Sequence, residues 1–208
     1  MKFKKKIQTR WHHQRSKDKF FHDAKKLGYR SRSAFKLLEI NKKFRILKNG
    51  QNALDIGAAP GGWSQILSQK VFSKEKNNLI ISIDLKEMKK INNIIFLKKD
   101  IFDKNFIPFL KKKFLHGIDI VISDAAPSTT GNKFVDHIKS IELCNKSFEI
   151  GNNLLNKGGI LVIKIFDGKE SKRIFALIKN RYLEFNLYRP KASKSASKEI
   201  YIVAKFLK

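Results

Sequence analysis

The segment Asn52-Ala-Leu-Asp55-Ile-Gly57-Ala-Ala-Pro60-Gly61-Gly62-Trp63 joins a short apolar run, an aspartate and a glycine-rich turn. Further short apolar runs also end on a charged residue: Leu79–Asp84, Ile94–Asp100, Ile118–Asp124 and Gly159–Lys164. Runs of this length, separated by longer polar or amphipathic stretches, are typical of parallel strands covered on both faces. Ligands of such sheets bind beyond the carboxyl ends of the strands. The pattern therefore predicts an active-site rim where these charges gather.

The rest of the chain predicts the helices and the last strands of an α/β domain. Ser31–Phe44 has helical spacing of apolar residues, as do segments near 135–156 and 169–180. Segments 182–188 and 199–206 read as strands and complete a mostly parallel, seven-stranded sheet with helices on both faces. We expect a basic arm over residues 1–28 and one domain over 29–208, with a helical extension at about 29–48.

The charge of the chain restricts its partners. Of the 208 residues, 45 are Lys or Arg and 18 are Asp or Glu, so the formal net charge is +27. Such a charge favours a polyanionic partner, most often nucleic acid, although compositional drift toward lysine is an alternative cause. The basic residues concentrate in 1–48 and 188–198, and the arm interleaves Trp11, Phe20 and Phe21 with its cations. Stacking on bases and docking on the arm's own domain are both open for these aromatics.

Other features of the composition indicate a cytoplasmic protein. Cys144 is the single cysteine, which fits a reducing compartment, and a buried inert thiol is its expected state. No apolar run is long enough to span a bilayer, and the first residues lack the apolar segment of a signal peptide, so we expect neither a membrane span nor a secreted protein. His12, His13 and His22 lack the companions of a metal site, so no metal is expected. The high charge favours a monomer.

The strand ends narrow the chemistry. The glycine-rich turn lacks the Gly-Lys-Ser/Thr of a phosphate loop, and its spacing differs from G-x-G-x-x-G. Asp84 is placed to accept hydrogen bonds from both ribose hydroxyls of an adenosine cofactor, which suits NAD and S-adenosylmethionine equally. Lys164 lies in an otherwise apolar strand, where an ion-paired structural lysine is the ordinary interpretation. Its place at a strand end, across from Asp124, favours a functional one.

Several motifs, in order along the chain, resemble the FtsJ/RrmJ family of ribose 2′-O-methyltransferases. They are Gly28-Tyr-Arg-Ser-Arg-Ser-Ala-Phe-Lys36, the turn Asp55–Gln65, Asp124-Ala-Ala-Pro127, Val162-Ile-Lys164-Ile-Phe166 and Ser197-Lys-Glu199-Ile-Tyr-Ile-Val-Ala204. The resemblance implies a Rossmann-like methyltransferase fold that uses S-adenosylmethionine. It also implies methylation of a uridine ribose in large-subunit (23S) rRNA, with the large ribosomal subunit as partner.

The resemblance implies roles for particular residues. A catalytic tetrad falls on Lys36, Asp124, Lys164 and Glu199. Two roles are open for Lys164: it removes the proton of the ribose 2′-hydroxyl, or it stays protonated and positions the hydroxyl. Cofactor contacts fall on Gly61, Trp63, Asp84, Asp100 and Asp124. Trp63 as a core residue and Asp100 as a loop cap are the structural alternatives.

RNA is the expected nucleic acid because DNA lacks a 2′-hydroxyl. We expect Arg30, Arg32 and Lys194 to hold its backbone. Methylation of tRNA or of a cap ribose, a non-catalytic role in ribosome assembly and, more remotely, a nicotinamide oxidoreductase are the alternatives.

Overall fold

The computed structural model describes residues 18–128 and 130–208. Trp11, His12 and His13, which the arm hypothesis uses, lie outside the described residues. The described chain forms one sheet of seven strands: β1 (Ala53–Ile56), β2 (Ile80–Asp84), β3 (Ile95–Lys98), β4 (Ile118–Ser123), β5 (Leu155–Phe166), β6 (Tyr182–Tyr188) and β7 (Glu199–Leu207). Its helices are α1 (Lys19–Lys26), α2 (Ser33–Phe44), α3 (Gly62–Lys70), α4 (Phe106–Lys113), α5 (Lys133–Leu154) and α6 (Ser171–Arg181).

The strands lie in the order β3-β2-β1-β4-β5-β7-β6. The first five are parallel, and β7 runs antiparallel to both β5 and β6. The strand order reverses between β1 and β4, and the crevice at such a switch point is where open α/β sheets bind ligands. The predicted fold class, an α/β sheet that is mostly parallel, is confirmed.

Helices cover both faces of the sheet, as predicted. One core holds residues of α4, α5 and α6, such as Leu110, Cys144 and Ile178, against the strands. The opposite core holds residues of α2 and α3, such as Leu37 and Ile66. Burial of Cys144 raises the pKa of its thiol to about 12, so the cysteine is the inert core residue that was expected.

Helices α1 and α4 were not predicted. Helix α1 lies inside the segment interpreted as a basic arm; Asp18 caps it by accepting a hydrogen bond from the Phe21 backbone N–H at 3.2 Å. The Phe20 ring packs 5.5 Å from the Phe35 ring of α2, so this aromatic docks on its own domain. None of the helices in residues 18–128 and 130–208 is both long and apolar enough to cross a bilayer.

The loop before β7, residues 189–198, is fastened to α2. Glu39 accepts hydrogen bonds from the backbone N–H groups of Lys191 at 2.7 Å and Ala192 at 2.9 Å. Arg32 donates to the carbonyl of Ala192 and also pairs with Asp18. These contacts join segments more than 150 residues apart in sequence, and they fix the start of β7 relative to α2.

Candidate active site

The four residues predicted as a tetrad converge at the carboxyl edge of the sheet. Helix α2 presents Lys36, the end of β4 leads into Asp124, β5 carries Lys164 and β7 begins at Glu199. Lys164 Nζ lies 2.9 Å from Asp124 Oδ1 and also donates to the Asp124 carbonyl. Lys36 Nζ lies 2.7 Å from Glu199 Oε1 and 3.9 Å from Asp124 Oδ1. The four side chains form one connected ionic cluster.

Tyr201 belongs to this cluster, and sequence reasoning did not assign it. Its hydroxyl donates to Asp124 Oδ1 at 2.6 Å, and it is fully buried. The register of the antiparallel β5–β7 pair places Lys164 opposite Tyr201 and Phe166 opposite Glu199. Because side chains two apart on a strand share a face, the predicted position of Glu199 was a signal for Tyr201.

Burial makes the charge balance of the cluster important. Lys36, Lys164 and Glu199 are each 8% exposed, and two cations facing two carboxylates compensate one another where water is scarce. Burial alone would raise the pKa of Asp124, but the ammonium groups of Lys164 and Lys36 and the Tyr201 hydrogen bond lower it below its ordinary value. Asp124 therefore stays ionised. Burial, followed by the nearby carboxylates of Asp124 and Glu199, raises the pKa of Tyr201 well above its ordinary value, so its hydroxyl keeps the proton.

Two adjoining cavities lie beside the cluster, at the switch point of the sheet. The larger, of about 390 Å³, is lined by Asp84, Asp100 and Phe102, and the smaller, of about 220 Å³, by Ser33 and Trp63. Both are also lined by Gly57, Ala59 and Asp124. Gly57 has φ of +75°, and a Cβ there would meet the Ala125 backbone within 2.8 Å. Glycine is needed at this turn for both reasons.

The predicted cofactor residues are placed differently from one another. Asp84 and Asp100 line the larger cavity, although each also orders its loop: Asp84 accepts from the Ala59 and Lys86 N–H groups, and Asp100 accepts from the Phe102 N–H at 2.9 Å. Trp63 combines both interpretations, since it lines the smaller cavity and is only 2% exposed.

Gly61 is not among the residues that line either cavity. It starts α3 with φ of +113°, and a Cβ there would lie 2.9 Å from atoms of Arg30, Met88 and Ile91. The glycine beside the cavities is Gly57, which the sequence motif contained but which was not singled out.

The carboxylate of Asp55 is buried under the turn instead of lying at the rim, where strand-terminal charges were expected to gather. It is 0% exposed, and Ser64 Oγ donates to its Oδ2 at 2.6 Å, while Oδ1 has no hydrogen-bond partner among the described residues. Burial, only partly offset by the Ser64 hydrogen bond, raises the pKa of Asp55 to about 7. The prediction for Asp55 was wrong because β1 continues to Ile56, so Asp55 lies inside the strand and not at its end.

Arg30 and Arg32, which were predicted to hold RNA, bind backbone carbonyls of the protein itself. Arg30 donates to the carbonyls of Lys89 and Lys90 and so fastens the segment after β2. Arg32 fastens the 189–198 loop, as described above. Lys194 lies exposed on that loop. No group of three metal-ligating side chains occurs among the residues that the structure describes.

The fold and this edge of the sheet define the class of protein. Its strand order, with helices on both faces and a ligand-sized crevice at the switch point, is that of the Rossmann-like methyltransferases. A family model described as FtsJ-like methyltransferase matches residues 29–207. The chain belongs to the FtsJ-like methyltransferase family.

Similar proteins carry consistent names. A protein of Ehrlichia chaffeensis named Ribosomal RNA large subunit methyltransferase E is 41% identical over 196 residues, which cover 94% of this chain and 91% of that one. A Pelagibacter ubique protein of the same name is 39% identical, with 99% of both chains covered. A solved structure from Plasmodium falciparum, described as a ribosomal RNA methyltransferase, superimposes with a TM-score of 0.75 at 34% identity, covering 86% of this chain and 98% of that one.

The raised pKa of Asp55 predicts a pH dependence of stability. The ordinary carboxyl pKa is 3.8 and the folded value is about 7, so between these values the folded state holds a proton that the unfolded state has lost. The free energy of unfolding should therefore fall as the pH rises from about 4 to 7 through this group. In Asp55→Asn that fall should be smaller by roughly 1–4 kcal/mol, measured by urea unfolding at each pH.

The exposed carboxylate Glu75 offers a matched control. Glu75→Gln should keep the wild-type dependence of unfolding free energy on pH. An Asp55→Asn protein whose unfolding free energy follows the wild-type curve across this range would show that Asp55 is not protonated in the folded state.

Proposed function

We propose that this chain transfers a methyl group from S-adenosylmethionine to the 2′-hydroxyl of a uridine ribose in large-subunit ribosomal RNA. The observation that carries the proposal is the buried pair of lysines, held by Asp124 and Glu199 at the edge of a cavity suited to a small ligand. The names of the similar proteins support rRNA as the substrate. The net charge of +27 supports a polyanionic partner.

The residues around the cavities fit the proposed donor. The larger cavity falls in the size range of small-molecule sites. Asp84 and Asp100 offer carboxylate oxygens to the hydroxyl and amino groups of an adenosine, and Gly57 leaves room beside Asp124. When bound, S-adenosylmethionine would supply an electrophilic methyl group on its positively charged sulfur. The carboxylate of Asp124 would favour that positive charge.

The geometry of Lys164 suits a proton acceptor. Its nitrogen donates to two oxygens of Asp124, the carbonyl and Oδ1. The ammonium form of Lys164 has three N–H groups and would first have to lose a proton. The neutral amine would then keep its two contacts to Asp124 and direct its lone pair at the 2′-hydroxyl. In the proposed reaction the hydroxyl proton would move to the Lys164 nitrogen as the ribose oxygen accepts the methyl group that the donor supplies. Fixing these groups in line supplies much of the acceleration of a bimolecular transfer.

The other residues of the cluster hold Lys164 in place. Tyr201 and Lys36 both bind at Asp124 Oδ1, and Glu199 holds Lys36. Lys36 keeps a positive charge between two carboxylates, so Asp124 is not left as an uncompensated buried charge when Lys164 is neutral. We assign Lys164 as the base and Lys36, Asp124, Glu199 and Tyr201 as residues that orient it.

Loss of Lys164 should abolish transfer without loss of the donor site. We expect Lys164→Ala to lower methyl transfer by at least about 100-fold, as for removal of a general base, while calorimetry shows donor affinity within a few-fold of wild type. The assay follows labelled methyl from S-adenosylmethionine to large ribosomal subunits, free rRNA and tRNA from cells lacking the activity, with nucleoside analysis of the product.

Lys205, which pairs with Glu184 near the opposite end of β7, provides the control, and Lys205→Ala should transfer like wild type. Label on a 2′-O-methylated rRNA ribose that disappears with Lys164 supports the proposal. Label on tRNA alone would show that rRNA is not the substrate. Methyl transfer by Lys164→Ala at the wild-type level would show that Lys164 is not the base. Tight RNA binding without any label would identify a non-catalytic assembly factor.

Tyr201→Phe should keep the ring that packs 5.7 Å from Trp63 while it removes the hydrogen bond to Asp124. A hydrogen bond to a charged group contributes about 1.5–3 kcal/mol. We therefore expect kcat to fall roughly 10-fold or more, with little change in KM for RNA or in donor affinity. Tyr182→Phe is the control, because the buried Tyr182 hydroxyl has no partner among the described residues. Equal kcat in Tyr201→Phe and wild type would remove Tyr201 from the catalytic cluster.

A further inference from the structure

A separate cavity of about 530 Å³ opens near the end of β5, outside the donor site. Its lining comes from the first turns of α5, from the β5–α6 connection and from the loop before β7, through residues that include Phe134, His137, Phe166, Gly168, Glu170 and Lys198. None of these residues lines either donor cavity. The mechanism above gives this cavity no role.

The cavity is adjacent to the ionic cluster. Phe166 lies two residues beyond Lys164 on β5 and pairs with Glu199 of β7, so it lies about 7 Å along the strand from Lys164. Lys198, on the other wall, directly precedes Glu199. Asp124, on the other flank of Lys164, lines both donor cavities. The ribose site is therefore bordered by the donor cavities at Asp124 and by this cavity at Phe166.

One wall of the cavity carries a largely exposed aromatic ring. Phe134 is 63% exposed although it lies in the first turn of α5 and lines the cavity. A phenylalanine exposed to this extent beside a concave surface offers a face on which a flat ring can stack.

A buried imidazole lines the same cavity. His137 is only 9% exposed, and its Nδ1 has no hydrogen-bond partner among residues 18–128 and 130–208. Its Nε2 does lie 2.8 Å from Glu170 Oε2, so a carboxylate and an imidazole meet at one wall. The imidazole thus lies behind the cavity wall and holds the Glu170 carboxylate, which is 46% exposed, at the cavity.

We propose that this cavity receives the nucleobase of the nucleotide whose ribose is methylated. This inference depends on the proposed function. The base is attached to the carbon next to the one that bears the 2′-hydroxyl, so a ribose placed at Lys164 must put its base within a few ångströms of that nitrogen. Unstacked RNA bases are commonly held by stacking on aromatic side chains and by hydrogen bonds to their edges. Phe134 offers the stacking surface, and the exposed carboxylate of Glu170 offers acceptors to the base edge.

The side chains at the rim suit the flanking phosphates. Lys133, Lys169 and Lys198 are exposed and line the cavity, and so are the carboxylates of Asp167 and Glu170. An extruded nucleotide carries a phosphate on each side of its ribose, and lysines near the opening would neutralise these charges. An aromatic wall with lysines at the rim for phosphates and carboxylates for the base edge fits a single nucleotide turned out of an RNA strand.

A double-mutant cycle between protein and RNA tests the inference. One substrate is the large-subunit RNA fragment, or the reconstituted subunit, that contains the mapped target nucleotide. The second substrate is the same RNA without the base at that nucleotide. With wild type, the abasic RNA should lower kcat/KM by roughly 5–100-fold, the range that base stacking contributes. Phe134→Ala should cause a similar loss on intact RNA but less than about a 2-fold further loss on abasic RNA.

Controls separate this contact from damage to the fold. Phe206→Ala removes an exposed phenylalanine near the opposite end of β7 and should change neither rate. A Cβ at Gly168 would lie 2.5 Å from the His137 ring, so Gly168→Ala should also lower kcat/KM on intact RNA more than on abasic RNA. Calorimetry should show wild-type donor affinity for all three variants.

The outcomes distinguish this inference from the proposed function. If the losses from Phe134→Ala and from base removal multiply, the base does not contact Phe134 and the inference is wrong while the methyl transfer stands. If base removal has no effect on wild type, the cavity holds no target base. If wild type methylates no ribose in the intact RNA, the proposed function fails and the inference fails with it.

Discussion

The carboxylate of Asp124 is the contact on which the site depends. A single oxygen of this side chain, Oδ1, accepts hydrogen bonds from Lys164 and Tyr201 and lies 3.9 Å from the Lys36 ammonium. The same residue lines both cavities assigned to the methyl donor. Opposing charges hold its pKa below the ordinary value in spite of burial. Because its ionised form orders both lysines, the position of the Lys164 nitrogen follows from one strand end of the sheet.

The rest of the fold brings distant segments to that strand end. Helix α2 carries Lys36 and strand β7 carries Glu199, and these two elements lie far apart in the sequence. Glu39 and Arg32 of the α2 region bind the backbone of the loop before β7, so the helix that carries Lys36 also anchors the strand that carries Glu199. In this arrangement Arg32 binds the protein backbone, while exposed lysines lie on the loop before β7 and at the rim of the separate cavity.

The sequence predicted the sheet because each strand is a short apolar run with a charged end, and Asp124 and Lys164 could be singled out on that ground alone. Lys36 and Glu199 required the family resemblance, because nothing in their local sequence shows that α2 and β7 meet. Helix α4 was missed since it is short and contains Pro108, which is tolerated only in the first turn. Helix α1 was missed because its cations and aromatic rings were interpreted as part of a basic arm. The contacts of Arg30 and Arg32 depend on loops far along the chain, and no local pattern indicates them.

The most direct test is a crystal structure of the chain with S-adenosylhomocysteine and an RNA that contains the mapped target nucleotide. We expect the ribose 2′-oxygen to lie within hydrogen-bonding distance of Lys164 Nζ. The same oxygen should lie about 3–3.5 Å from the position that the transferred methyl group would occupy beyond the sulfur. A complex in which Lys164 still binds only Asp124 and the target ribose lies away from the cluster would contradict the central claim.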